Sequence, residues 1–63
     1  MALTDIEVQL TGKDGNAFAI MGAVTQALKR GGRRDLVDKF TEEATSGDYD
    51  NLLQTAMKYV EVS

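Results

Sequence analysis

Alternating apolar and polar residues mark two short stretches, one near each end of the chain. Residues 6–10 read Ile-Glu-Val-Gln-Leu, so three apolar side chains face one way and two polar ones face the other. Residues 59–62 read Tyr-Val-Glu-Val, which places Tyr59 and Glu61 on the outer side. A period of two residues predicts strands with one face in water.

Between these stretches, apolar residues recur every three or four positions, which predicts three amphipathic helices. The first covers residues 17–30, with Asn16 as its N-cap and two glycines at its end. The second covers residues 34–45, and a third, short helix begins after the break at residues 46–47.

The first helix also carries a stripe of small residues on a second face. Ala19, Ala23 and Ala27 recur every four positions, and Gly22 lies beside them. A glycine inside a helix costs ~1 kcal/mol relative to alanine, and the close approach of a neighbouring backbone would offset that cost. We therefore expect this helix to be central and covered on more than one side.

The apolar positions of the five elements define a candidate core. Its members are Ile6, Val8, Leu10, Phe18, Ile20, Met21, Val24, Leu28, Leu36, Val37, Phe40, Leu52, Leu53, Met57, Val60 and Val62. The two strands can satisfy their backbone groups by pairing with each other, and three chain-reversing helices between them favour a parallel pair. We expect one small α+β domain over residues 1–63, in the order β-α-α-α-β, with a two-stranded sheet packed against three helices.

Composition narrows the chemistry that such a domain can perform. The 63 residues include no Cys and no His, which excludes disulfides, thiolate zinc sites and a hydrolase triad. Ser46 and Ser63 are the only serines, one in a turn and one at the end. We expect a non-enzymatic protein that needs no metal and no organic cofactor.

Two oxygen-rich segments suggest binding sites but have simpler explanations. Residues 12–16 follow a strand and open a helix, as phosphate-binding loops do, but they lack the glycine pattern of those loops and Asp14 would repel an anion. Asp48, Asp50 and Asn51 offer oxygen ligands for Ca²⁺. They lack the terminal glutamate of a calcium loop, and helix capping by Asp48 or Asp50 explains them more simply.

No apolar run approaches the length of a membrane span. The first five residues also lack the charged start and apolar centre of a signal peptide. We therefore expect a cytoplasmic protein that does not bind membranes.

A concentrated basic cluster separates the first two helices. Lys29, Arg30, Arg33 and Arg34 surround two glycines, and the other 57 residues hold three basic and ten acidic residues. The cluster could contact phosphates and bind nucleic acid, or it could only balance the acidic remainder and the helix dipole. Because a helix N-terminus disfavours cations, Arg33 and Arg34 are the best hint of a binding role.

A protein partner is the simpler expectation, because a net charge of −3 and the absence of His and Trp argue against a nucleic-acid surface. Tyr59, on the outer side of the second strand, is a candidate contact residue, since tyrosine is enriched at interfaces. Each strand would also keep one unpaired edge, so pairing across a two-fold axis predicts a homodimer. Nucleic-acid binding through residues 29–34 is the alternative.

Three segments resemble small proteins from bacterial and phage genomes. They are residues 7–12, 14–20 and 46–53, which read Glu-Val-Gln-Leu-Thr-Gly, Asp-Gly-Asn-Ala-Phe-Ala-Ile and Ser-Gly-Asp-Tyr-Asp-Asn-Leu-Leu. That group carries no assigned function, so the resemblance implies an accessory role and supplies no activity, cofactor or site residue.

Overall fold

The predicted order of elements is present in a computed structural model that describes residues 2–10 and 16–63. The elements are β1 (Glu7–Val8), α1 (Ala17–Arg30), a 3₁₀ turn (Arg34–Leu36), α2 (Val37–Ala44), α3 (Tyr49–Tyr59) and β2 (Glu61–Val62). This confirms the β-α-α-α-β prediction. Residues 11–15, which include most of the candidate phosphate loop at 12–16, lie outside the described residues.

The two strands form a parallel pair, as predicted, with Glu7 opposite Glu61 and Val8 opposite Val62. The ladder continues beyond the short strands: the Glu61 N–H donates to the Ile6 carbonyl at 2.8 Å, and the Leu10 N–H donates to the Ser63 carbonyl at 3.1 Å. The predicted strand over 6–10 therefore pairs along most of its length.

Local capping sets the ends of the helices. The Asn16 side chain accepts a hydrogen bond from the Ala19 N–H at 3.0 Å, as expected of the N-cap of α1. Asp48 caps α3 in the same way through the Asn51 N–H, also at 3.0 Å, which decides between the two aspartates considered for this cap. At the other end of α1, Gly32 takes a positive φ of 77°.

Most of the predicted core is buried. The fully buried apolar residues are Val8, Leu10, Ile20, Val24, Ala27, Leu28, Phe40, Ala44, Leu52, Ala56, Tyr59 and Val60, with Ile6, Met21, Leu36, Val37, Leu53 and Val62 packed partly against them. Alanines and Tyr59 were not in the predicted set. They complete the buried stripes of α1, α2 and α3 at helical spacing.

Two residues of the predicted core are exposed. Phe18 is 86% exposed and Met57 is 51% exposed, so their placement in the core is wrong. Phe18 lies about 200° around α1 from Ile20, which is buried, because each residue turns the helix by about 100°. Met57 follows the buried Ala56 and is turned away from the core for the same reason.

Tyr59 corrects the predicted boundary between the last helix and the last strand. It is the final residue of α3 and is only 2% exposed, whereas the prediction placed it on the outer face of a strand. Its spacing of seven from Leu52 and three from Ala56 puts it on the buried stripe of a helix. Its ring meets Phe40 edge to face, with centroids 5.6 Å apart.

Candidate interaction surfaces

The basic cluster lies on the turn that ends α1. The Gly32 N–H donates to the Lys29 carbonyl at 3.2 Å and the Arg33 N–H donates to the Leu28 carbonyl at 2.8 Å. This is a Schellman turn, in which a glycine with positive φ lets the chain satisfy the last carbonyls of a helix. The turn places Lys29 and Arg30 in the last helical turn, with the other two cations directly after it.

One of the four cations is paired within the turn. The Arg33 guanidinium lies 3.3 Å from the Asp35 carboxylate and donates hydrogen bonds to both of its oxygens. This contact holds the pKa of Asp35 below its ordinary value of 3.8. Lys29, Arg30 and Arg34 form no ion pair with another described residue.

Arg33 and Arg34 were predicted to lie at a helix N-terminus, where the helix dipole disfavours cations. The structure lessens this unfavourable interaction for Arg33 only. Arg33 stays outside the helix, as the residue before the 3₁₀ turn, and its carboxylate partner lies in the first turn. Arg34 occupies the first position of that 3₁₀ turn and is exposed. The turn therefore presents to solvent three cations that have no ion pair among residues 2–10 and 16–63.

Tyr59 belongs to a structural contact and not to an exposed surface. Its hydroxyl donates to Glu43 Oε1 at 3.1 Å, and Lys58 Nζ lies 3.1 Å from Glu43 Oε2. The hydrogen bond from Lys58, followed by that from Tyr59, lowers the pKa of Glu43 below 4.5. Burial, and then the neighbouring carboxylate, raises the pKa of Tyr59 above 10.0. These residues tie α2 to α3.

An apolar depression of 330 Å³ separates the start of α1 from the turn between α2 and α3. It is lined by Ala17, Phe18, Met21, Ala44, Thr45, Gly47, Asp48, Tyr49 and Leu52. Phe18 stands at this depression almost fully in water. We call Phe18, Met21, Tyr49 and Leu52 the Phe18 surface.

This surface was not predicted from the sequence, because Phe18 was placed in the candidate core. The spacing of residues along α1 contained the information that Phe18 is exposed. Phe18 lies four residues before Gly22 and eleven before Lys29, which places these three residues on one face of α1. Gly22 and Lys29 are both exposed, so a phenylalanine on the same face is exposed as well.

Residues 2–10 and 16–63 contain no group of three or more His, Cys, Asp or Glu that could hold a metal ion. Within the same residues, no helix combines the length and the apolar character needed to cross a membrane.

No family model, curated protein or solved structure matches this chain. The resemblance to small bacterial and phage proteins stays a prediction. The exposed groups of the chain itself are therefore the basis for a proposal on its function.

Proposed function

We propose that the protein is a small non-enzymatic accessory protein that binds another protein through the Phe18 surface. The observation that carries the proposal is the 86% exposure of Phe18 beside an apolar depression. Burying a phenylalanine side chain stabilises a complex by ~1.5–3 kcal/mol. Because Phe18 is not buried within the fold, a partner that covers it gains this stabilisation. Aromatic residues and methionine are also the types enriched at protein interfaces.

The shape of the surface supports a protein partner. Phe18 projects from the first turn of α1, while Met21 and Leu52 line the depression next to it. A side chain of the partner can enter the depression while Phe18 enters the partner. Buried aromatic anchors of this kind dominate the binding energy of many interfaces.

Affinity capture with matched variants tests the proposal. Tagged wild type, Phe18→Ser and Met57→Ser are incubated with lysate of the native host, and the retained proteins are compared. Met57 is also an exposed apolar residue but does not line the depression, so it controls for a general loss of apolar surface. We expect Phe18→Ser to lose a protein that wild type and Met57→Ser retain.

Two results would contradict the proposal. One is a Phe18→Ser variant that retains every protein the wild type retains. The other is a Met57→Ser variant that loses the same proteins as Phe18→Ser. Equal melting temperatures of the three proteins ensure that the comparison reports on binding and not on folding.

Nucleic-acid binding is the second candidate function, and the unpaired cations of the basic turn favour it. Lys29, Arg30 and Arg34 are exposed and free of ion pairs with the described residues, so they can contact phosphates. Binding of this kind weakens steeply as salt rises, because phosphate contacts release counterions.

A gel shift with duplex DNA at about 50 and 200 mM salt tests this second function. We expect Arg34→Gln to lower the affinity for DNA more than Arg33→Gln does, since Arg33 is already paired with Asp35. The absence of a shift at the lower salt concentration would rule the function out.

The homodimer predicted from the sequence stays a prediction. Among the residues that the structure describes, each strand pairs along one edge only, which supports such a dimer. Whether a second copy or another chain fits the edge of β1 better depends on the charges around it.

A further inference from the structure

Within the described part of the chain, the strand β1 keeps one open edge. The backbone groups of Ile6, Val8 and Leu10 form hydrogen bonds with β2 and with Ser63, which follows it. Alternate residues of a strand direct their N–H and C=O groups to opposite edges. The backbone groups of Glu7 and Gln9 therefore point away from β2, and the two-stranded sheet offers them no partner.

This open edge forms one wall of a groove of 620 Å³, and α1 forms the other wall. The lining residues are Glu7, Val8, Gln9, Ala19, Gly22, Ala23, Thr25, Gln26, Ala27 and Arg30. Over its first two turns the helix presents only alanine and glycine to the groove. These residues leave the volume that larger side chains would fill.

Gly22 shows that the groove is open at this point. A methyl group added to Gly22 would meet no described atom outside the surrounding turns of α1 within 4 Å. The neighbouring backbone predicted from the small-residue stripe is therefore absent from the described part of the chain. The packing of that part gives no reason for a glycine inside α1, where alanine is favoured by ~1 kcal/mol.

The outer face of the sheet is acidic beside the same edge. Glu7 lies directly opposite Glu61 on the neighbouring strand, an arrangement of like charges that is destabilising. Asp5 lines the same outer depression as these two residues. None of the three acids forms an ion pair within the described residues.

We propose that this groove binds an extended segment of a partner protein, which adds to β1 as a third strand. The segment alternates apolar side chains, which enter the groove over Ala19, Gly22 and Ala23, with lysine or arginine side chains, which lie beside Glu7. Strand addition supplies main-chain hydrogen bonds to Glu7 and Gln9, and the side-chain alternation supplies specificity. The groove shares no lining residue with the depression beside Phe18.

Charge favours this occupant over a second copy of the chain. Two β1 strands paired edge to edge would place Asp5, Glu7 and Glu61 of both copies on one continuous face. A basic segment instead neutralises Glu7 and lessens its repulsion with Glu61. Opposite-charge pairs across strands stabilise a sheet, whereas like charges destabilise it.

Titration of the wild-type protein with synthetic peptides tests the proposal. The probe is a capped peptide of alternating lysine and valine, about six residues long, as is usual for a strand. A peptide of alternating glutamate and valine is the control. Binding is followed by NMR through the backbone amides, and amide exchange is measured with and without the peptide.

We expect the lysine peptide to bind at least about tenfold more tightly than the glutamate peptide. The amides of Glu7 and Gln9 should shift and become protected from exchange, and the amide of Gly22 should shift. Two variants then locate the site. Gly22→Leu fills the groove and should abolish binding, while Gln54→Leu, an exposed site on α3, should leave it unchanged.

A third variant, Glu7→Lys, tests the charge preference. It removes the repulsion with Glu61, so the fold should be retained, and it should reverse the preference between the two peptides. Melting temperatures accompany each variant. Because leucine forms helix better than glycine, a folded Gly22→Leu protein is expected.

Four results would overturn the proposal: no binding of the lysine peptide, equal binding of both peptides, binding that survives Gly22→Leu, or shifts centred on Val62 at the edge of β2. A fifth would replace the occupant. If the amides of Glu7 and Gln9 shift with protein concentration alone, a second copy fills the groove, as the homodimer prediction requires. None of these results depends on Phe18.

Discussion

At the scale of single residues, the two phenylalanines of the chain have opposite environments. Phe40 is completely buried and packs edge to face against Tyr59. Phe18 is the most exposed large apolar side chain among the described residues. The same residue type therefore stabilises the fold at one position and is free for a partner at the other.

Alanine substitution of each phenylalanine tests this contrast. Phe40→Ala should lower the free energy of unfolding by ~3–5 kcal/mol, because it leaves a cavity in the core. Phe18→Ala should change it by less than ~0.5 kcal/mol, as is usual for an exposed position. Urea unfolding of both variants measures the difference. A folded Phe40→Ala protein with wild-type stability would show that the assigned core is wrong.

The contact between Glu43, Lys58 and Tyr59 predicts a pH dependence. The pKa of Glu43 is lowered from 4.5, so its contribution to stability is present above pH 4.5 and is lost as the pH falls through the folded value. The pKa of Tyr59 is raised from 10.0, so its contribution is present below pH 10.0 and is lost as the pH rises.

Melting wild type and Glu43→Gln across the acidic range isolates the carboxylate. We expect wild type to be the more stable at pH 7 by a small amount, because the ion pair is solvent-exposed and screened. The difference should vanish as the pH falls below 4.5. A difference in melting temperature that is constant from pH 7 to the acid limit would contradict this assignment.

At the scale of elements, local signals predicted best. Asn16 and Asp48 cap their helices because their side chains reach backbone N–H groups within one turn. The strand pair also followed from the sequence, since the two terminal strands had only each other to bond with, and the three chain-reversing helices between them predicted its parallel direction. The exposure of Phe18 depends on the rotation of α1 about its own axis, which a short apolar pattern does not determine. The helical position of Tyr59 depends on where α3 ends, and helix ends are the least certain part of a prediction from sequence.

Gly22, inside α1, and Gly32, in the turn that follows it, should respond in opposite ways to substitution by alanine. Gly22→Ala should stabilise the protein by ~0.5–1 kcal/mol, because the added methyl group contacts no neighbouring described element and alanine favours helix. Gly32→Ala should destabilise it by ~1–2 kcal/mol, because φ there is +77° and an alanine would be strained. Thermal unfolding of both variants measures these opposite signs. A destabilising Gly22→Ala would mean that the groove is already filled.

At the scale of the whole molecule, α1 links all the candidate surfaces. Its buried stripe, Ile20, Val24, Ala27 and Leu28, holds the core together. Phe18 stands at its first turn, the groove runs along its small residues, and the basic turn follows its last turn. The basic turn and the unpaired strand edge were predicted from the sequence, whereas the exposure of Phe18 and the groove beside α1 depend on which side of α1 the other elements leave uncovered.

Photo-crosslinking in the native host shows directly whether Phe18 contacts another protein. A photoreactive phenylalanine analogue is placed at position 18 or, as control, at position 57. We expect a defined crosslinked adduct from position 18 and none from position 57. If position 18 yields no adduct, or if both positions yield the same adducts, Phe18 is not the contact residue of a protein interface.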